Sequence, residues 1–338
     1  MDRGKVKAVA LLSGGVDSAL AAALTKRLGF RVVGVNFATG FCTGQGRCDT
    51  VLAAGRALGI PVRLEDVSDE YLDVVRAPRH GYGSGMNPCL DCRIFMLRKA
   101  GQLMAREGAA FVVTGEVLGQ RPMSQHYRAL RLVAAESSLN ERLVRPLSGR
   151  LLPPTYPEAR GWVRREDWLD IQGRSRRRQL ALARAWGMDE FAQPAGGCCI
   201  LLEKAYASRL RDAFTHRDPG TMTVEDFALL RHGRHFRLSP QVKLIVGRDE
   251  TENAVLAGLA ADRWRLDLTG CPGPLALLEG EPTEEELSLA AALAARYADL
   301  PLGERAAVRL LRGRQVRVLQ VTPLSPEDPR IKELRIDG

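Results

Sequence analysis

Short apolar runs and longer runs with helical spacing alternate through the first half of the chain. Val6 to Leu12, Arg31 to Phe37, Pro61 to Val67, Ala110 to Thr114 and Arg142 to Leu147 read as strands. Val16 to Leu28, Asp49 to Leu58 and Leu90 to Glu107 carry the spacing of helices. Strands rich in Val and Leu that alternate with helices predict a parallel sheet covered on both faces. The expected fold is therefore α/β, a doubly wound parallel sheet.

The pattern changes beyond residue 150. An arginine cluster, Arg174 to Arg178, predicts the start of a helix running to Trp186, with Ser175 as its cap and Gly187 as its stop. Residues 200 to 235 are mixed in charge, with Pro219-Gly220 and a short helical pattern from Val224 to Arg231, and read as a helical connector. In the last hundred residues Gln241 to Asp249 alternates into a turn, and a small helix starts at Glu252-Asn253. A strand pair follows at Trp264 to Leu268 and Pro274 to Leu278, then a helix from Glu284 to Ala298 and a basic strand from Arg312 to Leu319. This is a smaller α+β domain. The expected organisation is a catalytic domain over 1–180, a connector carrying Cys198 over 181–235 and the C-terminal domain over 236–338.

Length and composition fit that division. The chain has 338 residues, 45% of them hydrophobic, enough for two or three cores. The apolar run after Met1 is too short for a signal peptide and nothing approaches a membrane span, so a cytoplasmic enzyme with no membrane partner is expected. The net charge of +9 favours a nucleic-acid partner, because arginine suits phosphate contacts.

Ser13-Gly14-Gly15-Val16-Asp17-Ser18 lies between the first strand and the first helix. Two glycines let backbone approach an anion, a helix N-terminus aims N–H groups at it, and Ser13 and Ser18 add hydroxyls. Asp17 makes sense beside phosphate if it holds a magnesium ion or orients the loop. The loop has no lysine, and no G-x-x-x-x-G-K-[ST] occurs in the chain. Of seven cysteines, Cys89 and Cys92 form a C-x-x-C at a helix start, where thiol pKa values fall. A third thiol is expected from Pro194-Ala195-Gly196-Gly197-Cys198-Cys199, with Cys198 the ligand and Cys199 packing. Three uses stay open: a three-cysteine 4Fe-4S cluster, a persulfide and disulfide relay, or zinc. Cys42 and Cys48, in the insertion from Thr39, have no assigned role.

The hexapeptide at Ser13 matches the SGGxDS signature of the PP-loop ATP pyrophosphatases, an adenine nucleotide alpha hydrolase-like fold, whose members cleave ATP between the α and β phosphates. Read with Cys89, Cys92 and the later cysteine, the chain resembles the tRNA thiouridine synthases. Leu152 to Gly187 and the following Pro-Ala-Gly-Gly-Cys are similar to 4-thiouridine synthase-like proteins. The resemblance implies that ATP adenylates a uridine carbonyl oxygen and sulfur displaces AMP. It implies that Ser13, Gly14, Gly15, Val16, Asp17 and Ser18 hold the phosphates, that Asn36 and Phe37 meet adenine, and that Gly115 lines the nucleotide site. Cys89, Cys92 and Cys198 would carry sulfur or a cluster supplied by a cysteine desulfurase or sulfide, with tRNA as partner. Val246-Gly247-Arg248, Trp264 to Asp267, Pro272-Gly273 and the alanine-rich helix together resemble the NFACT RNA-binding domain. RNA contacts are expected at Arg248, Arg312, Arg314 and Arg317, and at Arg174, Arg176, Arg177 and Arg178. The other expectations are a PP-loop ligase or amidotransferase acting on a small molecule, and a non-catalytic RNA-binding or ribosome-associated factor.

Overall fold

The computed structural model describes residues 3–42, 47–188, 199–301 and 303–336. The chain divides into two compact units, residues 1–200 and 201–338, so the segment expected as a connector is shared between them.

In the first unit β1 (Lys7–Leu11), β2 (Arg31–Ala38), β3 (Val62–Asp66), β4 (Phe111–Val113) and β5 (Leu143–Val144) lie in the order β3-β2-β1-β4-β5. Every neighbouring pair is parallel. The helices are α1 (Val16–Arg27), α2 (Arg47–Leu58), α3 (Ser68–Arg76), α4 (Cys89–Arg106), α5 (Tyr127–Glu136), the single turn α6 (Tyr156–Ala159) and α7 (Arg177–Ala185). Alternation along β1 serves two cores. Ala8 and Ala10 pack with Leu20 of α1 and Ala183 of α7, whereas Val9 packs with Ile94 and Leu97 of α4 and Val133 of α5. Helices thus cover both faces of a parallel sheet, the doubly wound arrangement expected from the strand composition. The chain leaves β1 toward β2 and β3 and returns to β4 on the other side. Such a reversal opens a crevice at the carboxyl ends of β1 and β4, where these sheets bind ligands.

The second unit is an antiparallel sheet of β6 (Arg234–Arg237), β7 (Lys243–Val246), β8 (Trp264–Thr269), β9 (Leu275–Glu279), β10 (Ala306–Arg312) and β11 (Gln315–Val321), in the order β11-β10-β8-β9-β7-β6. With it fold α8 (Lys204–His216), α9 (Val224–Leu229), α10 (Glu250–Gly258), α11 (Glu284–Ala295) and α12 (Arg330–Leu334). Leu287, Ala290 and Ala291 of α11 fill one core. Leu256 of α10 and Leu229 of α9 pack with Ile245 and Leu277 in another.

Two expectations change here. The basic stretch from Arg312 to Leu319 is not one strand but the tip and return arm of a hairpin, with Arg312 paired to Gln315 across Gly313-Arg314. Gly313 has φ +56, the left-handed conformation that glycine adopts at no steric cost and that tight hairpin turns use. The helices α8 and α9 are held to the sheet by ion pairs. Arg237 Nη2 donates to Asp212 Oδ2 at 2.6 Å, while Arg263 donates to Asp226 Oδ1 at 2.6 Å and Glu279 Oε1 at 2.9 Å. They are part of the second unit.

Candidate active site

Residues 13–18 leave β1 and turn directly into α1. Gly14 has φ +76, and a Cβ there would lie 3.2 Å from Thr50 Cγ2, so conformation and space both favour glycine. Ser18 closes the loop: its Oγ accepts from Ser13 N–H at 3.1 Å and donates to the Gly15 carbonyl at 2.8 Å. Gly15 is the N-cap of α1 and no side chain caps the helix, which leaves first-turn N–H groups directed at an anion. The Val16 side chain is fully buried, so at this loop only its backbone can serve a ligand.

Asp17 is the centre of a polar relay that sequence reasoning missed. Its Oδ2 accepts from Gln120 Nε2 at 2.8 Å, and Gln120 Oε1 in turn accepts from Gln179 Nε2 at 3.1 Å. Arg176 Nη2 stands 3.7 Å from the same carboxylate. The helix expected to begin at Arg174 begins at Arg177, with Arg176 as its N-cap, and that turn carries Arg176 to the phosphate loop. Asp17 Oδ1, Gln125 Oε1, Gln179 Oε1 and Arg176 Nε are buried without a hydrogen-bond partner. Buried polar atoms are nearly always paired, and Asp17 and Gln125 line one cavity, so their orphaned oxygens mark the seat of a polar ligand. One free carboxylate oxygen fits a magnesium ion that takes its remaining ligands from phosphate and water.

Gly115 follows β4 on the opposite wall. A Cβ here would meet Ser18 N and the Asp17 carbonyl carbon at 2.4 Å, so glycine is what lets β4 reach the loop. Next to it Glu116 is 2% exposed and sits between two guanidiniums, Arg145 Nε at 2.8 Å and Arg93 Nε at 3.3 Å, with Thr114 Oγ1 donating at 3.2 Å. Burial alone would raise its pKa, but Arg145 and Arg93 outweigh burial and hold it below the usual glutamate value. Asn36 Nδ2 donates to the Leu12 carbonyl at 2.7 Å, and Phe37 is buried in the core shared with α4.

The thiols lie along the same cavity. Its wall includes Ser13, Asp17, Ser18, Asn36, Phe37 and Gly115, and also Cys42, Cys89, Cys92 and Cys199. Cys89 Sγ accepts from Asn87 Nδ2 at 3.0 Å. Tyr71 of α3, which the sequence pattern did not reveal, is buried between Phe41 and Phe95, with ring centroids 5.7 Å and 5.6 Å away, and its hydroxyl is hydrogen-bonded to Cys92. Burial, then the nearby Cys92, Cys199 and Cys89, drive its pKa far upward, so the hydroxyl keeps its proton. Cys198, the expected third ligand, lies outside the described residues, as does the side chain of Cys48. Among the described residues no three His, Cys, Asp or Glu side chains are grouped to hold a metal ion.

The expected RNA contacts are scattered and mostly engaged. Arg312 forks onto Glu281 at 2.6 and 2.8 Å, and Arg317 onto Glu284 at 2.6 and 2.8 Å. Arg248 grips Glu252 with contacts from 2.5 to 3.0 Å, and Arg178 pairs with Asp170 at 2.5 Å. Arg174, Arg177 and Arg314 are exposed.

Residues 4–150 match the family model described as thiamine biosynthesis protein (ThiI), and residues 233–332 match that of the NFACT protein RNA binding domain. The tRNA-specific 2-thiouridylase MnmA of Thiobacillus denitrificans is 30% identical over 229 residues, 64% of this chain and 60% of its own length. MnmA of Tropheryma whipplei is 39% identical over 98 residues, 26% of this chain and 27% of its own. The chain thus spans less than two thirds of either relative. A solved 4-thiouridine synthetase–RNA complex with bound ATP aligns over 58% of this chain and 44% of that one, at 24% identity and a TM-score of 0.42.

Proposed function

We propose that this chain, in which a ThiI-type phosphate-loop unit precedes an NFACT-type RNA-binding unit, is an ATP-dependent tRNA sulfurtransferase that converts a uridine to a thiouridine. One observation carries the reading: the phosphate loop and four cysteines, Cys42, Cys89, Cys92 and Cys199, line a single cavity. A carbonyl oxygen is a poor leaving group, and adenylation makes it a good one. In the first step the uridine oxygen attacks the α-phosphorus of ATP and pyrophosphate leaves. In the second, sulfur attacks the activated carbon and AMP leaves.

The N–H groups at the start of α1, with Ser13 and Ser18, bind the phosphates. Asp17 Oδ1 holds magnesium, which when bound neutralises phosphate charge. The loop lacks a lysine, and Arg176 supplies the missing cation from 3.7 Å behind Asp17. Asn36, Phe37 and Gly115 border the adenosine. Cys89, Cys92 and a cysteine from positions 198 and 199 carry sulfur as a persulfide, received from the persulfide of a cysteine desulfurase, or formed when sulfide attacks the cysteine disulfide left by a turnover and releases the other thiol. The terminal sulfur forms the bond to carbon, a second thiolate then takes the inner sulfur as a disulfide, and the thiocarbonyl is released.

Among the described residues no helix is long and apolar enough to cross a membrane. The product we favour is 4-thiouridine, on the match to ThiI; the MnmA relatives favour 2-thiouridine as the second reading. Mass spectrometry of nucleosides from tRNA incubated with the protein, ATP, a cysteine desulfurase and cysteine separates them. A thiouridine peak that disappears in Cys89→Ala is the expected result, and its absence under anaerobic conditions sinks the proposal.

A further inference from the structure

The loop between Gly119 and His126 is hydrogen-bonded to itself. Gly119 N–H donates to the Gln125 carbonyl at 2.7 Å, and Gln125 N–H donates to the Arg121 carbonyl at 2.9 Å. Its inner side belongs to the cavity, through Gln120, Ser124 and Gln125. Its outer side is apolar where it should not be. Of the large apolar side chains exposed in the described part of the first unit, Leu64, Met123 and Tyr127, two fall within five residues here, at 41% and 45% exposure. Met123 also lies beside the cysteine-bearing segment. A Cβ on Gly83 would come within 2.8 Å of Met123 Sδ and 2.4 Å of Asn87 Nδ2, the group that bonds Cys89.

The helix that follows continues the surface. His126 Nδ1 accepts from Ala129 N–H at 3.2 Å and caps α5. Ala129, Leu130 and Val133 are buried, and the opposite face presents Tyr127, Arg128 and Arg131 to solvent. Residues 127 and 131, and 128 and 131, are neighbours on a helix surface. The carboxylate on α5, Glu136, sits at its far end and is taken by Arg79 and His80.

We propose that Met123, Tyr127, Arg128 and Arg131 form a docking surface for single-stranded RNA at the sulfur end of the cavity. Tyr127 and Met123 are the platform on which a base next to the reacting one stacks, and the two arginines hold its phosphates. Charge complementarity selects RNA over a protein partner: the charged groups on this face are cations, and two exposed apolar side chains are far less than the roughly 800 Å² per partner that a stable protein contact buries. The face gives the first unit its own grip on the strand carrying the target base. The identity of that strand rests on the tRNA reading above, but the contact itself does not depend on sulfur transfer.

The test uses the full chain, labelled tRNA and a labelled single-stranded oligoribonucleotide, read by fluorescence anisotropy. Tyr127→Ala should weaken both about ten-fold, the loss of one stacked base, while Tyr127→Trp retains binding. R128E/R131E should weaken binding further and flatten its dependence on salt by close to two phosphate contacts. ATP binding and the melting temperature should not move in any variant. Unchanged RNA affinity in both Tyr127→Ala and R128E/R131E overturns the proposal, as does a Tyr127→Trp variant as weak as Tyr127→Ala. Loss of binding to a sulfur-donor protein with RNA affinity intact would assign the face to that protein and likewise overturn it. RNA affinity lost as expected in a protein that makes no thiouridine would leave this surface standing and remove the activity proposed above.

Discussion

Two residues next to each other at the end of β4 decide whether the crevice exists. Gly115 cannot bear a Cβ without driving the Asp17 and Ser18 backbone away, because the nearest atoms are main chain and have no rotamer to change. Gly115→Ala should abolish ATP binding by calorimetry and lower stability by about 1–3 kcal/mol, the usual range for overpacking. Glu116 is the other. It is the shared partner of Arg145 and Arg93, so Glu116→Gln leaves two guanidiniums facing a neutral amide and should cost the first unit about 3–5 kcal/mol at pH 7. Its pKa in the folded chain lies below the unfolded glutamate value near 4.3. The ion pairs therefore contribute in full above about pH 4.3 and lose their effect as pH falls through the lower folded value. Urea titrations of wild type and Glu116→Gln should show a gap that is widest near neutrality and narrows in acid; a gap independent of pH would mean that Glu116 acts through shape alone.

Among elements, α8 and α9 carry an assignment that runs against their sequence. Arg237 and Arg263 on the sheet take their partners from Asp212 of α8 and Asp226 of α9, and Lys243 is buried at 2% exposure near Asp212 and Glu279. A fragment beginning at residue 201 should unfold as one cooperative transition by circular dichroism. One beginning at residue 233, where the RNA-binding match starts, should not, since Arg237 loses Asp212 and Arg263 loses Asp226, leaving Glu279 as the remaining carboxylate for Arg263 and Lys243. Which elements were legible follows from the same physics. The parallel strands β1, β2, β4 and β5 announced themselves because both of their faces are largely buried, the edge strand β3 by its position between helical runs although it is half-exposed, and α1 because glycines and a capping-type residue precede it. The helices α3 and α5 were missed for want of the usual caps. Val67 precedes α3 with no side chain to offer, and α5 is capped by a histidine ring instead of a Ser, Thr, Asp or Asn. With α3 went Tyr71, and with α5 the face carrying Tyr127. In the candidate site the loop and the C-x-x-C could be read from local spacing, and Gly115 from the family resemblance. Gln120, Arg176 and Gln179 could not, because only the packing of α7 against α1 brings residues so distant in the chain to Asp17.

At the scale of the molecule, the net charge of +9 is not a reserve of free cations. Many arginines are forked onto carboxylates, including three of the four expected to hold RNA in the second unit. Binding to tRNA should still be strongly salt-dependent, falling about a thousand-fold between 50 and 200 mM if some six phosphates are contacted. Filter binding across that range measures the slope, and a nearly flat one would argue that few phosphates are touched. The cavity itself has a history in time as well as a shape. The ribosome delivers its wall in the order phosphate loop, C-x-x-C, Gly115 and finally Cys199, with 185 residues between Ser13 and that last thiol. A nascent chain that has emerged only as far as β5 already has its sheet but lacks both the arginine behind Asp17 and the last sulfur. The sulfur loading proposed above would therefore wait for the nearly finished first unit, and a polypeptide stalled before residue 176 would hold the Cys89 and Cys92 thiols without the Cys199 wall of their cavity.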